Sequence, residues 1–431
     1  MKRVIIIFLL AAQTYCYSQN NLTLSDAVNI ALKNSPGIKI AKNNLNITNI
    51  NNDYGVAGGL PSITVNGNDN QQSISLNQSI SSGMDIVRNG VGSNTATLGL
   101  AATVPVYAGG KINAEKKRLE QVQQLSEQQL TSRGLTIASN VMLKYYDIIR
   151  QQSYAKTLEH SIEVSKQKLK IVETQREIGL SNNADLFQSQ LDLNAQKQLL
   201  EAQYLVIDQA KTDLLTLLTL KADSAINLKD TIIIDKGIKL DSVLNNLYIN
   251  PDIIAADKQI RINELLETET YALRYPAVNF NTGYNYNRSQ SAAGNILFNQ
   301  SLGPYVGLNF SLPVFNGNIY KKQYQVSSIN TNNAKLVKDT LVIGYTSLAV
   351  KTFQSYTSNL RQLETQQKNY DLSLQLLDLV LQRFQLRQAT IIDVKQAQQT
   401  FENAGYQLIN LSYAAKAAEI QLRKLANKLV F

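Results

Sequence analysis

The sequence predicts an α+β membrane protein built as a tandem repeat, each half carrying one pair of alternating strands and two long helices. Three observations lead there. The prolines recur at fixed spacings: Pro36 and Pro251 stand 215 residues apart, as do Pro61 and Pro276, while Pro105 and Pro313 stand 208 apart. Their neighbours agree, since Val104-Pro105-Val106-Tyr107 answers to Leu312-Pro313-Val314-Phe315, and Leu60-Pro61-Ser62-Ile63 to Tyr275-Pro276-Ala277-Val278. Self-similarity of this kind marks one unit written twice. The second observation is strict apolar alternation, and the third is a pair of very long stretches with apolar residues every three or four positions.

The elements follow in chain order. Met1-Lys2-Arg3, the apolar run from Val4 to Ala12 and the polar Cys16-Tyr17-Ser18 read as a secretory signal peptide over 1–18, too short to span a bilayer. Tyr15 is bulky where a lipidation site wants a small residue, so Cys16 is expected to leave with the signal. Losing Lys2 and Arg3 takes the net charge from +9 to +7. Repeat one occupies 19–220 and opens with a helical segment over about 22–57. A β-hairpin over about 62–106 follows, with Ile63, Val65 and Gly67 on one strand and Leu98, Leu100, Ala102, Val104 and Val106 on the other. The Gly/Ser/Asn-rich stretch 70–94 between them reads as its loop. Next comes a helix over about 111–177, roughly 100 Å long at 1.5 Å per residue, then a polar turn and a helix over about 184–220. Residues 221–238 link the repeats, with Ile232-Ile233-Ile234 as a candidate strand. Repeat two, 239–431, has the same order: a helical segment, a hairpin over about 277–314, a long helix over about 321–385 and a helix over about 391–428. Its hairpin sets Val278, Phe280, Tyr284 and Tyr286 against Val306, Leu308 and Phe310.

Composition narrows the chemistry. Charged residues make up 17%, against about 25% in an average soluble protein, and Asn, Gln, Ser and Thr fill the gap. One His, one Cys and no Trp leave no ligand set for a His- or Cys-bound metal, which needs three or four. His160, within Leu158-Glu159-His160-Ser161-Ile162, reads as an exposed helix residue. No catalytic constellation and no cofactor motif stands out, so a non-enzyme is expected. Lys and Arg spread along helical stretches without interleaved aromatics, which argues against a nucleic-acid partner. No stretch beyond the signal approaches 18 apolar residues, so a helical membrane span is excluded, whereas a β-barrel signals itself only by alternation.

Four strands cannot close a barrel, and an open sheet cannot sit in lipid with unpaired edges. Either the strands form soluble hairpins or several copies pool them, giving eight, twelve or sixteen. Export, an apolar face and very long helices favour pooling. A non-channel exported coiled-coil structural or adaptor protein is the alternative, and it leaves the duplicated apolar hairpins without a purpose.

The motifs resemble the TolC-type outer membrane efflux family over nearly the whole mature chain. They are Leu22-Thr23-Leu24-Ser25-Asp26-Ala27 with Asn34-Ser35-Pro36, Val104-Pro105-Val106-Tyr107 before Gly109-Gly110, and Leu312-Pro313-Val314-Phe315 before Gly317. Gly179-Leu180 with Asp185, and Ile392-Asp393-Val394 with Ala397-Gln398, complete the set. The resemblance implies a homotrimer in outer-membrane lipid: a twelve-stranded barrel continued by a long helical barrel across the periplasm. It implies a passive exit duct for an inner-membrane RND or ABC transporter, joined through a periplasmic adaptor. It also implies an acidic ring at the periplasmic end, which falls here on Asp393 and, where a second carboxylate is expected, on Gln396. Asp185 opens the matching helix of repeat one. The family's Arg and Tyr locks fall on Ala389 and Phe384, so Arg387 or Arg383 is the candidate substitute, reaching Asp185. The adaptor-contact tips map to Ile178, Gly179 and Leu180 and, in repeat two, to Leu386, Arg387 and Gln388. Each site has a plainer reading beside it. Thr390 with Asp393 and Asn182 with Asp185 form helix N-caps, and Gly179 suits a helix C-terminus.

Overall fold

The computed structural model describes residues 21–81, 83–294 and 296–429. The expected signal peptide 1–18, and Cys16 with it, lies outside the described residues. Contacts divide the chain into two compact units. One draws on Asn43–Gln128 and Ile254–Asp339, the other on Met1–Lys42, Gln129–Ile253 and Thr340–Phe431.

The first unit holds an antiparallel sheet in the order β1 (Ser62–Ser79), β2 (Asp85–Ala108), β3 (Ala277–Ser291), β4 (Phe298–Ser311). Pairing of β2 with β3 joins the two repeats in one sheet, and β1 and β4 form its edges. The register stacks apolar residues across the strands: Ile63, Ala102, Thr282 and Val306 form one row, Val65, Leu100, Tyr284 and Pro304 the next, and Leu98, Tyr286 and Leu302 a third. Val104, Phe280 and Leu308 lie on the other side of the first row, followed by Val278 and Phe310. Because side chains alternate across a strand, all these rows share one face. The five rows span about 26 Å along β4 at ~3.3 Å per residue, and Ile63, Val306 and Leu308 are exposed on it.

The stretch 70–94, expected as a loop, is strand. Asn70 pairs with Thr95, and the ladder runs on to Ser79 opposite Asp85, beyond which the Ile80 N–H donates to Met84 O at 3.1 Å. Backbone ladder bonds are indifferent to side chains, and Asn, Gln and Ser on both faces leave no alternation to read. Pro105, which has no N–H to donate, sits where the register of β2 slips by one residue before Tyr107, a bulge that tolerates it. In repeat two β4 stops at Ser311, so Pro313 falls beyond the ladder.

The second unit is helical: α1 (Leu24–Asn34), α4 (Asn183–Leu218), the short α5 (Leu240–Asn246) and α8 (Ile391–Leu425), with most of α3 (Lys111–Glu177) and α7 (Ile319–Gln385). Helices α3 and α7 are 67 residues each. The opening segment, expected as one helix, breaks into α1 and α2 (Pro36–Asn51). Ser35 turns extended at ψ 123, because a proline ring forces its predecessor out of the helical region. Helix α6 (Pro251–Ala272) also starts on its proline. Ile232–Ile234 joins no ladder, and the linker's one bridge pairs Asn227 with Asn21. Apolar packing is local and repeated. Val28, Val141, Tyr145, Ile148, Leu214 and Leu218 form one cluster, and Val243, Ile253, Tyr356 and Leu422 another. Val164, Leu186, Leu377, Phe384, Val394 and Phe401 close the end where the hairpin turns lie.

Candidate functional site

The two helical hairpins end in the same turn. After α3, the Gly179 N–H donates to Arg176 O at 2.9 Å and the Leu180 N–H to Gln175 O at 2.7 Å. After α7, 208 residues on, the Arg387 N–H donates to Phe384 O at 3.0 Å and the Gln388 N–H to Arg383 O at 2.7 Å. This paired bonding is a Schellman cap, whose C′ residue must take a left-handed conformation. Gly179 takes φ +76 without penalty, whereas Arg387 takes φ +63 with a side chain. Such a conformation costs a non-glycine residue roughly 1–2 kcal/mol.

Arg387 uses its side chain. Its Nη2 donates to the Leu180 carbonyl of the other tip at 3.4 Å, while Arg383 Nη2 donates to Gln388 O at 3.0 Å within its own turn. Neither reaches Asp185, contrary to expectation: both guanidinium groups satisfy carbonyls of the turn residues that follow the helices. The bond from Arg387 is long and exposed, so the strain outweighs it. Arg387→Gly is therefore expected to raise the thermal midpoint, by the equivalent of about 1 kcal/mol; a lower midpoint in a thermal melt would mean that the tie to Leu180 dominates.

The acidic candidates both lie in the first turn of a helix. Asp393 accepts from the Thr390 N–H at 2.7 Å and from Thr390 Oγ1 at 2.8 Å, while its own N–H donates to Thr390 Oγ1 at 3.2 Å, a reciprocal capping box. The Thr390 N–H and hydroxyl, helped by the charge of Arg383, hold its carboxyl below the usual value although it is fully exposed. Asp185 gives its N–H to Asn182 Oδ1 at 2.9 Å and accepts from Ser181 Oγ at 3.2 Å. Gln396 is exposed on the next residues of α8. Phe384 and Ala389, at the positions of the family's locks, pack with Val394 and Phe401 instead.

Between α3 and α7 behind the tips lies a groove of about 740 Å³, bounded by Ile171, Thr174 and Ile178 on one side and Leu381, Gln385 and Arg387 on the other. Ile178, Leu180 and Leu386 are exposed here, and Gln388 completes the second turn. The groove joins residues some 200 positions apart, which no local pattern announces. Sequence reasoning also missed Lys168, fully buried and bonded at 2.6 Å to Asp192. Its signal was present, because Lys168 interrupts the stripe formed by Leu158, Ile162, Ser165 and Val172. His160 is exposed, with its ring 5.0 Å from that of Phe401. Among the described residues no group of His, Cys, Asp and Glu is arranged to hold a metal ion, and no helix is long and apolar enough to cross a membrane.

A family model described as outer membrane efflux protein matches residues 27–219 and 246–428. No curated protein matches the chain. Among solved structures, the outer membrane protein VceC of Vibrio cholerae superposes with a TM-score of 0.74 at 18% identity, covering 94% of this chain and 95% of its own. CusC gives a TM-score of 0.79 at 16% identity, over 94% and 92% of the two chains. The CmeC outer membrane channel of Campylobacter jejuni gives 0.75 at 17%, over 94% and 85%. At these identities the likeness is one of fold. The family match, in contrast, runs through both repeats, from the first helix to the last, and the chain belongs to the outer membrane efflux protein family.

Proposed function

We propose that three copies of this chain form a passive exit channel in the outer membrane, docked at its periplasmic end to an adaptor protein and, through it, to an inner-membrane pump. One observation carries the reading most: a four-stranded sheet with an open apolar face and two free edges, which lipid tolerates only when copies close it. Three copies supply twelve strands, with β4 of each against β1 of the next. The helices carry matching unfilled faces. Phe187, Leu191 and Leu199 on α4 and Leu372, Leu376 and Leu379 on α7 are all exposed, and apolar surface on this scale calls for a partner. Second copies, related by the trimer axis, are the natural occupants.

In this reading Asp393 stands three times around the axis at the periplasmic opening, with Gln396 one turn along, so the mouth carries negative charge and attracts cations. Asp185 and Arg387 flank it, and Arg387 ties the two tips of each copy together. The exposed turns Ile178-Gly179-Leu180 and Leu386-Arg387-Gln388, with the groove behind them, are the docking surface for the adaptor. The chain contributes a wall and a mouth, and transport energy comes from the pump.

Light scattering on detergent-solubilised protein, corrected for bound detergent, is expected to count three chains per particle. Bilayer conductance is expected to prefer cations, a preference weakened by Asp393→Asn. A monomer stable without detergent would sink the channel reading, and an unchanged ion preference in the variant would remove Asp393 from the mouth.

A further inference from the structure

Where α8 lies against the hairpin of α3 and α4, a polar seam runs beside the apolar cluster of Val164, Leu186, Val394 and Phe401. Asp192 on α4 accepts from Lys168 on α3 at 2.6 Å and from Lys395 on α8 at 3.1 Å, and Gln188, one turn earlier on its own helix, donates to it at 2.8 Å. Lys168 has no solvent exposure, whereas Lys395 is half exposed. One turn up α8 from Lys395 the seam goes on with amides. Gln398, buried, donates to the Ser161 carbonyl at 3.2 Å and to Ser165 Oγ at 3.0 Å, and Gln196 donates to Glu402 at 2.9 Å. Burial pushes the Asp192 carboxyl up, but the bonds from Lys168, Lys395 and Gln188 together pull it below its usual value, so it stays charged.

The tandem repeat does not repeat these charges, and the matching positions Leu376 and Phe187 are exposed where Lys168 is buried. Shifted by 208 residues, Lys168 becomes Leu376, Asp192 becomes Thr400, and Lys395 corresponds back to Phe187. The second hairpin has the same two helices and the same turn with none of the three ions. Burying a lysine and a carboxylate rarely adds net stability over apolar residues of similar size. What such groups do best is specify alignment, because apolar helices slide past one another at low cost while a buried ion pair matches in one register only. A slip of α8 by one turn, about 5.4 Å, would part Lys395 from Asp192 and Gln398 from both serines at once. Lys395 is two residues from Asp393, in the first turn of α8.

We propose that Asp192, anchored by the buried Lys168, is a positioning residue that sets the axial register of α8 through Lys395, and with it the height of Asp393 relative to the α3–α4 tip. The consequence for conduction rests on the channel reading above, whereas the register does not.

The test uses full-length protein in detergent, with spin labels at the exposed positions 190 on α4 and 399 on α8 and labelled copies diluted into unlabelled ones. Pulsed electron resonance is expected to give one narrow distance in otherwise wild-type protein. In the combined variant Lys168→Met, Asp192→Leu, Lys395→Leu, the thermal midpoint is expected to match or exceed wild type, while a second distance appears, displaced by up to about 5 Å, the rise of one helical turn. Lys395→Met leaves the buried pair intact and is expected to add the same second distance at an unchanged midpoint. A single wild-type distance in either folded variant overturns the proposal and leaves the seam as packing. Conductance of the same samples, altered only where the second distance appears, ties register to the mouth. Absence of conductance in the parent would count against the channel and leave the distances to decide the register.

Discussion

Val306→Arg is expected to remove the protein from the outer membrane. Val306 lies on the middle of the five apolar rows, beside Thr282 and in line with Ala102 and Ile63, and it is among the most exposed residues of the sheet. An Arg facing lipid at the bilayer midplane costs about 2–4 kcal/mol, and a trimer incurs this three times. The control is Asn281→Arg. Asn281 pairs with Thr103 and Gly307 one residue along the ladder, so its side chain leaves the sheet on the opposite face. There the guanidinium meets water, and insertion is expected to survive with a shift towards anions in bilayer recordings. Membrane fractionation distinguishes the pair. Equal loss of both variants would mean that the apolar face is not the lipid face.

The second large effect concerns two glycines that the sequence presents as twins. Gly109 and Gly317, 208 residues apart, each follow the repeated proline motif and precede a long helix, and both take positive φ, +62 and +67. Alanine at either position incurs the left-handed strain, roughly 1–2 kcal/mol. At Gly317 nothing lies within 4 Å of the added carbon, so the strain is the whole cost. At Gly109 the carbon would sit 2.6 Å from Tyr275 Cβ and 2.8 Å from the Ala272 carbonyl. Backbone cannot swing aside as a side chain does, and overpacking of this kind costs a further ~1–3 kcal/mol. Gly109→Ala is thus expected to lower the denaturation midpoint of the solubilised protein well beyond Gly317→Ala. Matched losses would show that the junction after α6 yields.

These glycines also mark how far a sequence is legible. Proline spacing exposed the duplication, because a ring that blocks helix and ladder alike recurs only where the chain must turn. Alternation identified the apolar face at Ile63, Leu98, Leu100, Val306 and Leu308, since a strand sends every second side chain to the same side. The polar strand residues 70–79 and 85–94 were hidden for the converse reason. With polar side chains on both faces no period stands out, and only the partner strand reveals the ladder. Arg387 at a glycine's place was equally unreadable, because its left-handed turn follows from bonds to Phe384 and Arg383 and not from its type.

By itself, then, the sequence determined what one-dimensional spacing records: a doubled unit, an apolar sheet face, helices long enough for coiled packing, and family membership. The tertiary structure alone decided which helix meets which. The tie from Arg387 to Leu180, the groove behind the tips, and the convergence of Lys168, Asp192 and Lys395 join residues 207, about 210 and 203 positions apart. Side-chain patterns report the neighbour that is solvent, lipid or the next turn, whereas contacts of that separation exist only once the chain has folded back on itself.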